Sequence, residues 1–443
     1  MPDLTTASRE ELLEIIAALL AKVEVLEARV AALEEENERL RKGGGKSVPA
    51  WVKPNRPPRE KKERKHRGRA FVRRTEPPDA VREHVVAQCP ECGRKLAGGW
   101  VHRRRQVIEV VLMKRVIERV VKGRRCGVCR KRWLPTLEPG ELGVQGKRRF
   151  GASVQRFVAM LHGRYRVPMK EIGRLLEEAV GLHISDGEIV ALLDGVREAG
   201  AGALEELREQ VRSAPAVCAD ESGWREDGKN GWIWTFSTPQ GRYFEYHPTR
   251  SGKVAAEVLG EGFKGRVVCD CYVGYNRLPQ EKQRCWAHLL RDLHELKEQQ
   301  ANEPAVLAWA EGIQGLYEEA KAFSSPNRRQ RRAMRRHLEV RLEALVRPVA
   351  QHKEAPHRVL AERMRQHLLE WFVFVEHPEV PATNNLAERS LRPAVIARKI
   401  SGGTRSPKGS KTKMGLMSLF GTWVLRHQPL LPTCQRLLLT DCP

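Results

Sequence analysis

Two short apolar runs, each closed by an aspartate, constrain this chain more than anything else in it: Val217-Cys218-Ala219-Asp220 and Val267-Val268-Cys269-Asp270. Runs of this length and β-branched character form buried strands, and a charged last residue belongs where the strand leaves its sheet. A third acid, Glu388, lies on a helical pattern, Asn384-Asn385-Leu386-Ala387-Glu388-Arg389-Ser390-Leu391-Arg392-Pro393, flanked by Arg389 and Arg392. Two strand ends and one helix can bring these carboxylates to a point. Anions about 4 Å apart repel by about 4 kcal/mol per pair even at an effective dielectric of ~20, so such a cluster calls for hard divalent cations with oxygen ligands, Mg²⁺ or Mn²⁺. Taken singly, Asp220 and Asp270 read better as caps of the turns after their strands, and Glu388 as a surface ion pair with Arg389 or Arg392; the company they keep shifts the reading.

A length of 443 residues allows two to four domains. Lys and Arg number 79 against 55 Asp and Glu, a net +24. That excess implies a polyanionic partner, and nucleic acid is the commonest. No apolar run reaches the ~18 residues of a membrane span, and the acidic N-terminus lacks a signal-peptide pattern. The expectation is a soluble, cytoplasmic, nucleoid-associated protein without a membrane partner. Ten cysteines in that compartment suggest metal ligation or buried thiols before disulfides.

Leucines recur every seventh residue at Leu12, Leu19, Leu26, Leu33 and Leu40, with Ile16, Val23, Val30 and Asn37 at the other heptad apolar position. This is the pattern of a parallel two-stranded coiled coil over 4–42, and the flanks agree in sign: Lys22 with Glu27, Arg29 with Glu34, Glu36 with Arg41. A homodimer is therefore expected. Residues 43–80 read as a disordered basic linker, with eleven Lys/Arg, Lys61, Lys62, Arg64 and Lys65 among them, against two Glu between positions 53 and 74. Counterion release on phosphate gives such a run a DNA-binding role. Within 81–138, Cys89-Pro90-Glu91-Cys92 and Cys126-Gly127-Val128-Cys129 are two Cys-x-x-Cys knuckles, the ligand set of a closed, structural Zn²⁺ site. Alternating residues such as Gln106–Leu112 suggest a small β-ribbon between them.

Residues 145–212 read as helical. Leu182-His183-Ile184-Ser185-Asp186-Gly187-Glu188 has the form of a helix end, a serine cap and a new helix, so a helix-turn-helix and a plain packing domain both remain open. After Pro215 the pattern changes to strands at 216–220, 231–236 and 242–246, a helix at 251–259, and the strand ending at Asp270. Three meander strands, a helix and a further strand, with acids on the first and fourth, is the order of a ribonuclease-H-like core. The fold class expected is α+β and multidomain: this core over 213–294 and 380–405, an α-helical insertion over 295–379, and a helical tail over 406–443.

Here the motifs become specific. Asp220-Glu221-Ser222-Gly223-Trp224, Asp270 with Gly274-Tyr275-Asn276, Cys285-Trp286-Ala287-His288, Asn384 to Pro393, and Arg398-Lys399 together resemble the motif series of the insertion-sequence 66 family of DDE transposases. The zipper, knuckles and pre-core helices occur in the same order in that family. The resemblance implies that Asp220, Asp270 and Glu388 are the DDE acids holding two Mg²⁺ or Mn²⁺ ions, which serve hydrolysis and then strand transfer with no covalent protein–DNA intermediate. It also implies DNA partners, the element's terminal inverted repeats and target DNA, with accessory transposition proteins as further candidates. Arg389, Arg392, Arg398 and Lys399 are expected to contact DNA. After Lys399 the chain runs Ile400-Ser401-Gly402-Gly403-Thr404 where many relatives are expected to carry an Asn and aromatics.

Six arginines fall between 328 and 336 without one acid, which makes Arg328, Arg329, Arg331 and Arg332 candidate DNA contacts. Cys285 and His288 alone lack two ligands of a metal site, so Cys285 and Trp286 are expected in the core and His288 near the acids, within reach of a phosphate. Cys218, Cys269 and Cys271 read as small buried hydrophobes, and Trp232 and Trp234 as core. The expected function is a metal-dependent DNA transposase. A non-catalytic zinc-containing DNA-binding protein and a ribonuclease-H-like nuclease without strand joining are the alternatives.

Overall fold

The computed structural model describes residues 22–23, 26–27, 29–30, 76–110, 112–135 and 149–439. Residues 43–75 of the basic linker, with Lys61, Lys62, Arg64 and Lys65, lie outside them, as does most of the heptad segment. The chain divides into two units, Met1–Ile108 and Glu109–Pro443.

In the first unit the described residues of the heptad segment are helical, and their seam residues Val23, Leu26 and Val30 are exposed. The first knuckle is a tight turn: Cys89 N–H donates to Arg94 O (2.8 Å) and Gly93 N–H to Cys89 O (2.9 Å), with Gly93 left-handed at φ 67°. Backbone N–H groups of Cys92 and Glu91 hold the Cys89 thiol below its ordinary pKa. The second unit opens on the same turn around Cys126 (N–H to Lys131 O, 2.9 Å; Arg130 N–H to Cys126 O, 3.0 Å), with Arg130 at φ 56°. A minimal hairpin, β1 (Arg124–Arg125) and β2 (Arg132–Trp133), flanks it. The ribbon expected over Gln106–Leu112 is not a strand in its described residues, which are exposed and pair with no neighbour in a ladder. Alternation alone supplies no strand where no partner edge is offered.

Helices α1 (Ala152–Ala159), α2 (Met169–Val180), α3 (Asp186–Ala199) and α4 (Ala201–Arg212) follow. Gly181 in the left-handed conformation ends α2, and Ser185 with Glu188 forms a capping box on α3, as the local sequence requires. Yet α3 is buried through Ile189, Leu192, Leu193 and Val196, and these residues share one core with Leu416, Leu419, Phe420 and Trp423 of α12 (Pro407–Leu425) and Cys434 and Leu438 of α13 (Leu430–Leu439). Its buried Asp194 is anchored to Thr412 (2.6 Å) and Lys408 (2.9 Å) of α12. The second helix of the motif is thus a packing element, and residues 406–439 complete the helical domain that begins near 150.

The sheet follows: β3 (Ala216–Glu226), β4 (Lys229–Ser237), β5 (Arg242–His247), β6 (Arg266–Cys269) and β7 (Lys282–Arg284), in spatial order β5-β4-β3-β6-β7. The first three are antiparallel; β6 runs parallel to β3, and β7 to β6. β3 therefore continues well past Asp220, because pairing with β4 runs to the Asp227-Gly228 turn (φ 50° and 75°), a mirror-image turn that suits strand twist. The hairpin tip is tied to the chain after α11 (Asn385–Ser401): Thr404 N–H donates to Arg225 O (2.9 Å). A Cβ on Gly403 would lie 2.1 Å from that carbonyl, so Gly402-Gly403 is what lets the backbone approach.

One face of the sheet buries Val217, Ala219, Trp234, Phe236, Val267 and Cys269 beneath α5 (Lys253–Leu259). The opposite face packs Trp224, Ile233 and Phe244 against Leu391, Ala394 and Ala397 of α11 and Met414 and Met417 of α12. Between β7 and α11 lie α6 (Trp286–Gln299), α7 (Pro304–Ala322), α8 (Arg328–Gln351), α9 (Arg358–Gln366) and α10 (Val373–Glu376), which enclose their own core around Trp286, Trp309, Leu338, Leu342, Trp371 and Phe372.

Candidate active site

Parallel pairing of β3 with β6 ends at Cys218 opposite Val268, and two residues beyond each lie Asp220 and Asp270. Side chains alternate along a strand, so Asp220 projects on the face of Cys218. That face carries Cys218, Val268 and Ala387 in one cluster, and Glu388 is the residue after Ala387. The start of α11 is fastened there: Asn384 Nδ2 donates to Ala219 O (2.8 Å), Asn384 N–H to Cys285 Sγ (3.0 Å), and Ser237 Oγ to Ser390 Oγ (2.9 Å). Asp220, Asp270 and the start of α11 with Glu388 thus lie on one face of the sheet.

Their electrostatics follow from the assembly. The Asp220 carboxyl is pushed up to about 7, first by burial, then by the charges of Glu221, Asp270 and Glu388, against a single opposing hydrogen bond from Glu221 N–H (2.9 Å). Asp270 Oδ1 accepts from Tyr272 N–H (2.9 Å). Glu388 Oε1 faces His288 Nδ1 at 3.6 Å; both atoms are buried and neither has a hydrogen-bond partner. The adjacent Cys285 thiol, opposed by burial and helped by the charges of Glu388 and Asp270, raises His288 to about 8. Cys285 and His288 are therefore not an isolated pair: with Glu388 they place three ligand atoms within 4.8 Å of one another.

The sequence assigns no separate role to the other residues around the acids. Glu221 is buried on the opposite face of β3, where Tyr275 Oη donates to it (2.6 Å) and Arg250 grips it through Nε and Nη2 (2.9 and 2.7 Å). Burial raises its carboxyl in spite of these donors. The Arg250 guanidinium lies 4.7 Å from the Trp232 ring and 3.9 Å from Tyr272, so Trp232 is half-buried beneath a cation while Trp234 is fully buried. Arg284, wholly buried, donates to the main-chain carbonyl of Asp270 (2.7 Å), to Asn276 (2.5 Å) and to Glu370 (2.6 Å), which fixes the loop that leaves β6.

The basic residues chosen from sequence separate into two groups. Arg389, Arg392 and Lys399 are exposed along α11, and Arg328, Arg329 and Arg332 are exposed on α8. Arg398 turns inward to Gly223 O and Ser222 Oγ and lines a cleft of about 470 Å³ with Arg225, Asn230 and Trp232. Arg331 is engaged by the carbonyls of Ser325, Pro326 and Glu376 (2.9, 2.9 and 3.0 Å), and the neighbouring Arg335 by Glu281, Glu339 and Glu376. A run that reads as one basic face is therefore partly internal bracing.

Asp220 and Asp270, just past the parallel pairing of β3 with β6, and Glu388 on α11 offer hard oxygen ligands of the kind divalent cations take. Among the described residues no helix is long and apolar enough to cross a membrane. Comparison with curated proteins gave no match. A family model described as "Transposase IS66 family" matches residues 147–412, which span helices α1 to α4, the sheet, the insertion, α11 and the start of α12.

Proposed function

The chain belongs to the transposase IS66 family, and from that premise we propose that it cuts and joins DNA strands at Asp220, Asp270 and Glu388 on a ribonuclease-H-like sheet. The observation that carries the reading is the placing of Asp220 and Asp270 just past one register pair of parallel strands with the start of α11 fastened over them; burial first, and then the charges of Glu221, Asp270 and Glu388, raise the Asp220 carboxyl to about 7, as suits a site for cations. The order of three antiparallel strands followed by two parallel ones, with acids beyond the same register pair, supports the fold assignment.

Asp220, Asp270 and Glu388 would hold two Mg²⁺ or Mn²⁺ ions, whose chemistry is to activate an attacking oxygen and to neutralise the departing 3′ oxygen. The buried, unpartnered Glu388 Oε1 and the all-oxygen donor set fit such ions. Around them the chain supplies position. Main-chain N–H groups of Glu221 and Tyr272 orient the two aspartates, Arg284 fixes the Asp270 loop, and Asn384 sets the height of α11 above β3. Arg389, Arg392 and Lys399 on the helix of Glu388, with Arg328, Arg329 and Arg332 on the insertion, are placed to meet phosphates, and His288 beside Glu388 suits the scissile one. The exposed seam of Val23, Leu26 and Val30 supports pairing of two copies through the N-terminal helix. Accessory transposition proteins and the nucleoid remain the proposed partners and location.

The direct test presents oligonucleotides bearing the element's terminal repeat, a target duplex and Mg²⁺ to the full chain. Covalently joined products are expected. Hydrolysis without joining would make the protein a nuclease, and neither product would remove the catalytic reading.

The two knuckles support a structural Zn²⁺, with assignment of Cys89, Cys92, Cys126 and Cys129 to one ion resting on their spacing. Turn N–H groups that lower the Cys89 and Cys126 thiols favour the thiolates such an ion needs. A structural zinc contributes roughly 10–16 kcal/mol of apparent binding energy. A strong chelator, or Cys92→Ser, is therefore expected to unfold the knuckle segment while leaving the sheet folded. Protection of the segment's amides in hydrogen exchange, before and after zinc removal, checks this; unchanged protection would exclude a structural role for the metal.

A further inference from the structure

We infer that Cys285, His288 and Glu388 form a site for a borderline transition-metal ion of the Zn²⁺ class, which competes with Mg²⁺ for Glu388. The competition rests on the reading of Glu388 as the third acid; the site itself does not. A thiol sulfur, an imidazole nitrogen and a carboxylate oxygen within 4.8 Å of one another are the donor types that favour Zn²⁺ over Mg²⁺. Three protein ligands with an open fourth position is a common zinc arrangement, at ligand distances of roughly 2.0–2.3 Å.

Two observations point to a ligand here rather than to a finished ion pair. His288 Nδ1 and Glu388 Oε1 are 3.6 Å apart, beyond a good hydrogen bond, and both are buried without a partner. A third orphaned acceptor, Asn384 Oδ1, belongs to the residue whose N–H meets Cys285 Sγ at 3.0 Å. Buried polar atoms are rarely left unmatched, and three on one junction imply a missing partner.

The frame is rigid. Cys285 N–H donates to Cys269 O (2.9 Å) and Trp286 N–H to Ala382 O (3.1 Å), which locks the β7–α6 turn against both β6 and the approach to α11. The Asn384 N–H to sulfur bond orients the thiolate, as outer partners of metal ligands do. Access is open from one side, since the side chains of His288 and Glu388 are 36% and 33% exposed whereas Cys285 is buried. An ion seated here would draw Glu388 Oε1 toward Cys285 and His288 and away from the two aspartates.

The test titrates Co²⁺, then Zn²⁺, into the full chain and into Cys285→Ser and His288→Asn, the first of which keeps an acceptor for Asn384 N–H. Knuckle thiolates are common to all three proteins and cancel in difference spectra. One additional sulfur-to-cobalt charge-transfer band is expected in the parent chain and not in Cys285→Ser. Affinity for that ion should fall about tenfold or more in His288→Asn. Zn²⁺ should inhibit Mg²⁺-dependent strand cleavage of the parent chain, and about tenfold more should be needed for Cys285→Ser. Identical cobalt spectra would overturn the site. A Cys285-dependent ion that leaves cleavage untouched would overturn the competition, and a chain with no cleavage at all would still report the site through cobalt, so failure of the transposase reading is distinguishable.

Discussion

Replacing Asp220 or Asp270 by Asn, or Glu388 by Ala, is expected to lower DNA cleavage and joining by roughly three orders of magnitude or more, with binding to end-bearing DNA retained. Stabilisation of transition-state charge by bound cations amounts to several kcal/mol, and each ~1.4 kcal/mol is a factor of ten. The same substitutions remove an anion from a surface that meets phosphates, so binding should hold or tighten slightly. Single-turnover cleavage of a labelled end oligonucleotide, with anisotropy on the same DNA, separates the two effects. Cleavage retained in the Glu388 variant would assign the third ligand to another acid.

The second large effect is on stability of the metal-free protein. Asp220 sits at about 7 in the fold against an ordinary 3.8, so folding favours its protonated form. Its contribution is fully present below pH 3.8 and is lost as pH rises through 7. His288, at about 8 against 6.5, acts in the same direction: its stabilisation is present below 6.5 and fades through 8. Groups elsewhere oppose them, for example His162, lowered to about 3 by burial, whose stabilisation is lost as pH falls below 6.5. A difference between variants cancels such terms. Asp220→Asn, which keeps an acceptor for Glu221 N–H, should therefore be more stable than the parent by roughly 2–4 kcal/mol at pH 8 in chelator, and nearly equal to it at pH 4. Saturating Mg²⁺ should erase or reverse the difference at pH 8, because the parent then gains ligand-binding energy that the variant lacks. Denaturant melts at the two pH values measure it; a parent more stable than Asp220→Asn in chelator at pH 8 would contradict the description of a strained anionic cluster.

How much of this was legible in the sequence depends on which forces left a local trace. The apolar runs before Asp220 and Asp270, the alternation at Gly231–Phe236 and the Ser185/Glu188 cap are short-range signals, and the strands and the helix start lie where those residues put them. β7 was invisible because Lys282, Gln283 and Arg284 have no apolar period, yet all three are buried. They are matched by partners far along the chain: Gln283 by Trp371 O (2.9 Å), Arg284 by Glu370 (2.6 Å). The extension of β3 to Glu226 was hidden for a similar reason, since it depends on Asp227-Gly228 and on docking of Thr404, not on strand propensity. The helical tail read as separate because its partners, Ile189, Leu192 and Leu193, lie more than two hundred residues earlier. Arginines 331 and 335 illustrate the limit of charge counting: both serve internal acceptors, which composition cannot reveal. At the site, the sequence marks the three acids as candidates one by one, whereas the partners of Glu221, Arg250 and Asn384 and the approach of Cys285 to Glu388 needed the assembled sheet.

One measurement bears most directly on the central claim, that side chains 220, 270 and 388 share divalent ions. Crystals of the full chain with Mn²⁺, and with end-bearing DNA where it can be included, can be read by anomalous scattering at the manganese edge. The expected result is manganese ligated by carboxylate oxygens of Asp220, Asp270 and Glu388 together. Manganese bound by the aspartates with Glu388 turned away in the DNA complex, or no manganese among the three at saturating concentration, would contradict it.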